Sequence, residues 1–313
     1  MSRYRRNGMR VTTETRGAAV ACYREFAPSV ELREHVRAFF SFVPAAEELG
    51  TPRRRVTWQS VFESGDPFVS PLFADANPSI VVHFALRCAT DGVWVSGEAP
   101  HANVIGAMTG VGAPTPPGHA VMVGVYLQPA RASQFIGAPL CELTDRIVSL
   151  EDLWGSAGAD LPAELAAMSE AARIDRLESE LVRRLGRRRE SRTSVDVPGL
   201  TEWTLRSRGK VSVERLAHAA GVSRQHLTRV FHELVGVSPK LYCRLARFHS
   251  ALGFIGSGER VEWARVATAL GYADQSHMIA EFREFSSLTP QQIAGARLFH
   301  PFIENARTSL GRL

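Results

Sequence analysis

The chain has 313 residues, a net charge of +5 and four cysteines, a length that suggests two domains, each able to bury its own core. No apolar run is long enough to span a membrane, and the polar start MSRYRRNGMR lacks the apolar core of a signal peptide. Cys22, Cys88, Cys141 and Cys243 are scattered without CxxC or metal-ligand spacing, which argues against a disulfide framework or a zinc site and for the reducing cytoplasm.

Residues 1–20 carry Arg3, Arg5, Arg6, Arg10 and Arg16 with little to bury and read as a flexible basic tail. A β-rich domain with C-terminal helices is expected at 21–185. SVELREHVRAFFSFVPA spaces Val30, Leu32, His35, Val36, Phe39 and Phe40 as a short helix running into a strand. SIVVHFALR at 79–87 is the clearest strand, β-branched and flanked by turn residues, with GVWVSGE at 92–98 as its hairpin partner. ANVIGAMTGV and HAVMVGVYLQP add further short strands, separated by Pro/Gly turns. This spacing suggests a small antiparallel barrel or sandwich.

Past Pro129 the pattern turns helical. ARASQFIGAP is amphipathic, and in LTDRIVSLEDLWG Thr144 is expected to cap a helix packed through Leu150, Leu153 and Trp154. LPAELAAMSEAARIDRLESELVRRLGRRRE reads as one broken helix or two consecutive ones. Ile174, Leu177, Leu181 and Leu185 form an apolar stripe that packs either on its own domain or on a second copy, which would place a homodimer contact at 170–186. Arg183, Arg184, Arg187, Arg188, Arg189 and Arg192 then lead into an Arg-rich linker at 186–196.

The rest of the chain contains one unit twice. Val213, Leu216, Ala217, Ala220 and Gly221 recur fifty residues later as Trp263, Val266, Ala267, Leu270 and Gly271. Past the glycine the offset is fifty-one: Ser223, Leu227, Phe231 and Ser238-Pro239 match Asp274, Met278, Phe282 and Thr289-Pro290. Each copy pairs a short amphipathic helix, a glycine turn and a second helix opened by a Ser or Asp cap, which are the marks of a helix-turn-helix. Between them, Leu241, Leu245, Phe248, Leu252 and Ile255 give a long helix one buried stripe. From Leu200 onward fifteen Lys/Arg face nine Asp/Glu, a charge of +6 that leaves the remainder at −1. A basic helical domain at 197–300, with a tail at 301–313, is the electrostatic footprint of a nucleic-acid binder.

The second helix of each unit fits the major groove of B-DNA. In the first, Arg224, Gln225, Thr228 and Arg229 point away from the buried face. Arg and Gln can grip guanine and adenine through paired hydrogen bonds, each worth about 1–3 kcal/mol of discrimination. In the second, Gln275, Ser276, His277, Ile279, Ala280 and Arg283 are outward, with Glu281 among them. Gln275, Ser276, His277 and Arg283 are the candidate DNA contacts among them, with Gln275, Ser276 and Arg283 suiting backbone contacts better than base reading. A carboxylate near phosphates is unfavourable unless it pairs with Arg or accepts from a cytosine amine.

LAHAAGVSRQHLTRVFHELVGVSPKLYCR and GYADQSHMIAEFREFSSLTPQQI resemble the AraC/XylS family of bacterial transcription regulators. The resemblance implies two helix-turn-helix units joined by a linker helix and bound to double-stranded promoter DNA. Family members commonly carry a basic residue where Ala280 stands and a glycine where Ser287 stands. PSVELREHVRAFF, FADANPSIVVHF, VGVYLQPARASQFIG and LTDRIVSLEDLWG are similar, more loosely, to a sensor domain often paired with this array. The fold class expected is therefore α+β: an N-terminal small β-barrel or cupin-like domain with following helices, and a C-terminal all-α domain. Cupins often bind metal, yet His83, His101 and His119 lack an HxH pair or a carboxylate at ligand spacing, so no metal or other cofactor is expected. Trp58, Phe62, Phe84, Trp94 and Tyr126 read as core aromatics, one or two of them open to lining a pocket.

The function expected is that of a sequence-specific transcription regulator and not an enzyme. Its partners would be promoter DNA, a small-molecule effector, RNA polymerase and a second copy of the chain. Two alternatives stand beside it: an N-terminal domain that only dimerises, and an enzyme fused to a DNA-binding module. The latter would need an activated cysteine, GxSxG or HExxH, none of which the sequence shows.

Overall fold

The computed structural model describes residues 11–14, 22–43, 73–88, 94–96, 99–111, 120–185, 193–255 and 261–295. The expectations for most of the N-terminal tail, Trp58, Phe62, His119, Arg187, Arg188, Arg189, Arg192 and 301–313 lie outside these residues. Eight strands among them form one antiparallel sheet: β1 (Val11–Glu14), β2 (Cys22–Phe26), β3 (Val36–Val43), β4 (Ser79–Cys88), β5 (Trp94–Ser96), β6 (His101–Ile105), β7 (Ala120–Leu127) and β8 (Ile147–Ser149). The order is β1-β2-β3-β7-β4-β6-β8, with β5 paired to β4. β1 corrects the reading of 1–20 as tail throughout. The β-branched run VTTE pairs with β2 in the register Val11↔Phe26, because extended β-branched residues find a ready partner at a sheet edge.

Side-chain alternation gives the sheet two faces. Phe39, Ile80, Val82, Phe84, Val104, Val123 and Val125 point to one side and join the first hydrophobic core. Phe40 and Val81 are buried on the other side, where Phe40 stacks on Tyr126 with ring centres 4.6 Å apart. Helices cover the first face: α1 (Ser133–Ile136), α2 (Leu150–Trp154), α3 (Ser156–Ala166) and α4 (Glu170–Leu185). The segment read as one broken or two consecutive helices is two, α3 and α4. The expected Thr144 cap is a correction. A turn and β8 intervene before α2, so Ser149 caps it by accepting from the Glu151 amide at 3.2 Å.

The stripe on α4 lies inside its own domain. Ile174, Leu177 and Leu181 are fully buried against the sheet and α1, so this stripe cannot form the homodimer contact expected at 170–186. Burial of such side chains stabilises a fold by about 1.5–3 kcal/mol each, and an occupied face has no apolar area left to offer a second copy. Two arginines of the basic run are also held here. Arg183 and Arg184 bind the buried Glu180 carboxylate, and Arg184 lies 3.6 Å over the Trp154 ring.

The second half is helical: α5 (Val197–Arg206), α6 (Val213–Ala219), α7 (Arg224–Val235), α8 (Pro239–Ile255), α9 (Trp263–Leu270), α10 (Gln275–Ser286) and α11 (Pro290–Gly295). Val195, at the end of the expected linker, is already buried in this domain's core, and Asp196 caps α5. α8 runs through the centre, with Leu245, Phe248 and Leu252 fully buried. Phe248 meets Phe282 and Phe285 of α10 edge-on, at 4.9 and 5.5 Å between ring centres. The same core takes in Phe73, Ala74, Ala76 and Ala107 from the N-terminal half. Among the described residues no helix is long and apolar enough to cross a membrane.

Candidate nucleic-acid interface

Both repeats fold as the spacing predicts. α6 packs on α7, and α9 on α10. The chain turns between each pair through Gly221 and Gly271, at φ +65° and +76°, a left-handed conformation that a side chain would strain. Ser223 accepts a hydrogen bond from the His226 amide at 3.2 Å and Asp274 from the His277 amide at 2.7 Å, so both second helices begin with a side-chain cap. Leu227 and Phe231 are fully buried in one unit, as Met278 and Phe282 are in the other.

On α7, Arg224, Gln225 and Arg229 are exposed, and Thr228 is half-buried with its hydroxyl donating to the Arg224 carbonyl at 2.9 Å. Arg224 also donates to Glu214 of α6 at 2.9 Å across an exposed pair. The Glu214 carboxyl is held below the usual range by its own backbone amide, then by Arg224 and Ser212. On α10, Gln275, Ser276, His277, Ala280 and Arg283 are exposed and Ile279 is half-buried.

Glu281 corrects the sequence reading. It is not on the outward face but only 2% exposed. Its Oε1 accepts from Arg244 Nε at 2.7 Å and lies 3.4 Å from Arg247, both on α8, with His277 Nε2 at 3.7 Å. Arg244 also reaches Glu284. The carboxylate therefore ties α10 to α8 and cannot reach a base. The sequence hint was available: two arginines three residues apart, on the helix that must pack against α10, gave the carboxylate the pairing it needs.

A groove runs between the two units. It brings together Arg224, Gln225, Thr228 and Arg229 of α7 with His277 of α10. Gln275, Ser276 and Arg283 are exposed but do not line it. Its charged residues that were not singled out from sequence are Glu214, Lys240 at the start of α8, Arg244 and Arg247. Of the cations lining the groove, Arg224, Arg244 and Arg247 are paired with carboxylates. Arg229 and Lys240 have no carboxylate partner among the described residues, which leaves their charge available to an external anion.

In the N-terminal domain, His83 and His101 face each other across β4 and β6 with rings stacked 4.9 Å apart. Burial, and then the nearby charge of His101, lower the His83 pKa to about 4. Among the described residues no three His, Cys, Asp or Glu side chains converge as a metal site would require. Cys141 is exposed and Cys243 is buried.

Residues 216–295 match a family described as a helix-turn-helix domain. An uncharacterised HTH-type transcriptional regulator of Haemophilus influenzae is 29% identical over 80 residues, which are 26% of this chain and 26% of that protein. Residues 216–295 are thus similar to the helix-turn-helix domains of transcriptional regulators. Residues 24–149 match a second family, described as a domain of unknown function (DUF6597). Solved structures similar to the chain include ToxT of Vibrio cholerae bound to an unsaturated fatty acid. It is 10% identical, covers 73% of this chain and 90% of that one, and has a TM-score of 0.39. ToxT bound to (E)-4-(8-methylnaphthalen-1-yl)but-3-enoic acid is 9% identical over 73% and 94% of the two chains, with a TM-score of 0.40. Of the two positions where the sequence departs from the pattern it resembles, Ala280 is exposed and Ser287 ends α10 with φ +59°.

Proposed function

We propose that the chain is a sequence-specific, DNA-binding transcription regulator that reads two successive major-groove segments, with α7 as the specific reader and α10 as a clamp on the backbone. The observation that carries this reading is the free face of α7. Arg224, Gln225 and Arg229 are exposed beside a groove shared with α10, on a helix whose opposite side is wholly buried. Gln275, Ser276, His277 and Arg283 supply donors suited to phosphates on the second helix, and Arg229 and Lys240 add cations to the groove between. The N-terminal domain is the site of modulation, through a small-molecule effector or through self-association by surfaces other than the buried α4 stripe. RNA polymerase is the natural further partner of such a regulator on a promoter. The chain acts without catalysis of its own.

Selection of bound sequences from random double-stranded DNA by the full chain tests the reading. The expected product is an asymmetric site with two conserved blocks about one helical turn apart. Recovery of no preferred sequence, with binding that salt abolishes equally for every duplex, rejects specific reading.

A further inference from the structure

Both reading helices end against the N-terminal domain, and each meets a donor from it at a carbonyl. The last four carbonyls of a helix have no partner within it. At the end of α7, the carbonyl of the C-cap residue Gly236 accepts the Thr144 hydroxyl at 2.6 Å. At the end of α10, the Phe285 carbonyl accepts the backbone amide of Ala74 at 3.0 Å. The Ala74 carbonyl in turn lies 2.9 Å from His249 Nε2 on α8, and Phe73 is buried against Phe248. There is no slack at Gly236. A Cβ built there would lie 3.1 Å from both the Leu140 carbonyl and the Thr144 hydroxyl.

The two contacts are braced to each other. Asp75 and Met108 exchange both backbone hydrogen bonds, at 2.8 and 2.7 Å, and the Asp145 amide donates to the Ala107 carbonyl at 2.8 Å. The amide and hydroxyl of Thr109 both donate to the Asp145 carboxylate, each at 2.7 Å. Strap 73–76, segment 106–109 and turn 140–146 are thus one hydrogen-bonded piece. The strap leads into β4 and the segment leaves β6, and those two strands are paired.

We propose that this piece is a gauge for site spacing: it holds the far ends of both reading helices and so fixes the distance between the two DNA segments that the chain accepts. Thr144 and the Phe73–Asp75 strap are then positioning residues for recognition. Apart from this piece the two units are joined by α8 and by Lys210, which donates to the Ala269 carbonyl at 3.3 Å; the second hold restrains the rotation that these leave. The sheet that would carry a signal ends in this piece through β4 and β6. The proposal rests on the reading of α7 and α10 as DNA-contacting helices.

The test uses full-length wild type, T144V, T144S and F73A on the selected site and on versions with one base pair added or removed between its two blocks. The wild type is expected to bind the altered spacings at least tenfold more weakly. T144V removes only the hydroxyl and is expected to lower that discrimination about threefold to tenfold, the factor that one hydrogen bond supplies. T144S restores it, and F73A lowers it at least as far as T144V. A role confined to stability would lower the melting temperature and leave the spacing preference unchanged. The proposal is overturned by a wild type indifferent to spacing, or by folded T144V and F73A proteins that keep the wild-type profile. A wild type that selects no site at all overturns the DNA-reading assignment beneath it.

Discussion

The two helix-turn-helix units share a fold and differ in what their polar residues are bound to. Around α7 the charged groups are at the surface, and the Arg224–Glu214 pair is exposed on both sides. Around α10 the central carboxylate is buried and spoken for by two arginines of α8. An exposed pair is weak and exchangeable, so Arg224 can leave Glu214 for a base or phosphate. A buried pair cannot open without stranding a charge. The first unit leaves its cations at the surface, whereas the second has used its carboxylate for architecture.

Removing each carboxylate in turn should separate the two units most widely. E281A should lower stability by about 3 kcal/mol or more, because Arg244 and Arg247 lose their buried partner, whereas E214A should leave the unfolding midpoint in urea unchanged. Equal midpoints for E281A and wild type would show that the second unit is not anchored as described. Next in size, R224A or Q225A should cost about 1–3 kcal/mol against the preferred site and relax selection at one or two base pairs; unchanged footprints for both would remove α7 as the reader. Smaller again, A280R should steepen the dependence of log affinity on log salt by about 0.9, the slope of one added phosphate contact. An unchanged slope would mean that α10 lies off the DNA. Smallest, S287G should stabilise the protein by about 0.5–1 kcal/mol, since Ser287 ends α10 in a left-handed conformation (φ +59°) that glycine adopts without strain. A lower melting temperature for this variant would show that Ser287 makes a compensating contact.

The fold of the C-terminal half was legible because its signals are local. Glycine turns, Ser223 and Asp274 caps and a helical apolar period act within a few residues, and the structure places each where the spacing required. The α7 face was equally legible, since an outward position follows from helical period alone. Glu281 was not, because its burial depends on Arg244 and Arg247, thirty-seven and thirty-four residues earlier. Periodicity placed this residue among the outward positions, and only the crossing of α8 over α10 decides the side. Thr144 failed for a similar reason: a Thr before a helix resembles a cap, yet its partner is Gly236, ninety-two residues away. The α4 stripe was visible as a stripe, but its own sheet and a second copy of the chain offer the same apolar complement in sequence.

The Phe73–Ala76 strap bears on how the molecule is made. His249 meets the Ala74 carbonyl across 175 residues, so during synthesis the strap leaves the ribosome long before the helices it completes. Closing so long a loop costs little more entropy than closing one half as long, about 0.6 kcal/mol. The delay in time is the larger burden. Until α8 and α10 emerge, Phe73 has no core to enter, and once they do, the last-made helices close over one of the earlier-made segments. A ribosome-bound chain truncated before α10 should accordingly leave the strap open to protease, with protection arriving only when the second unit is complete.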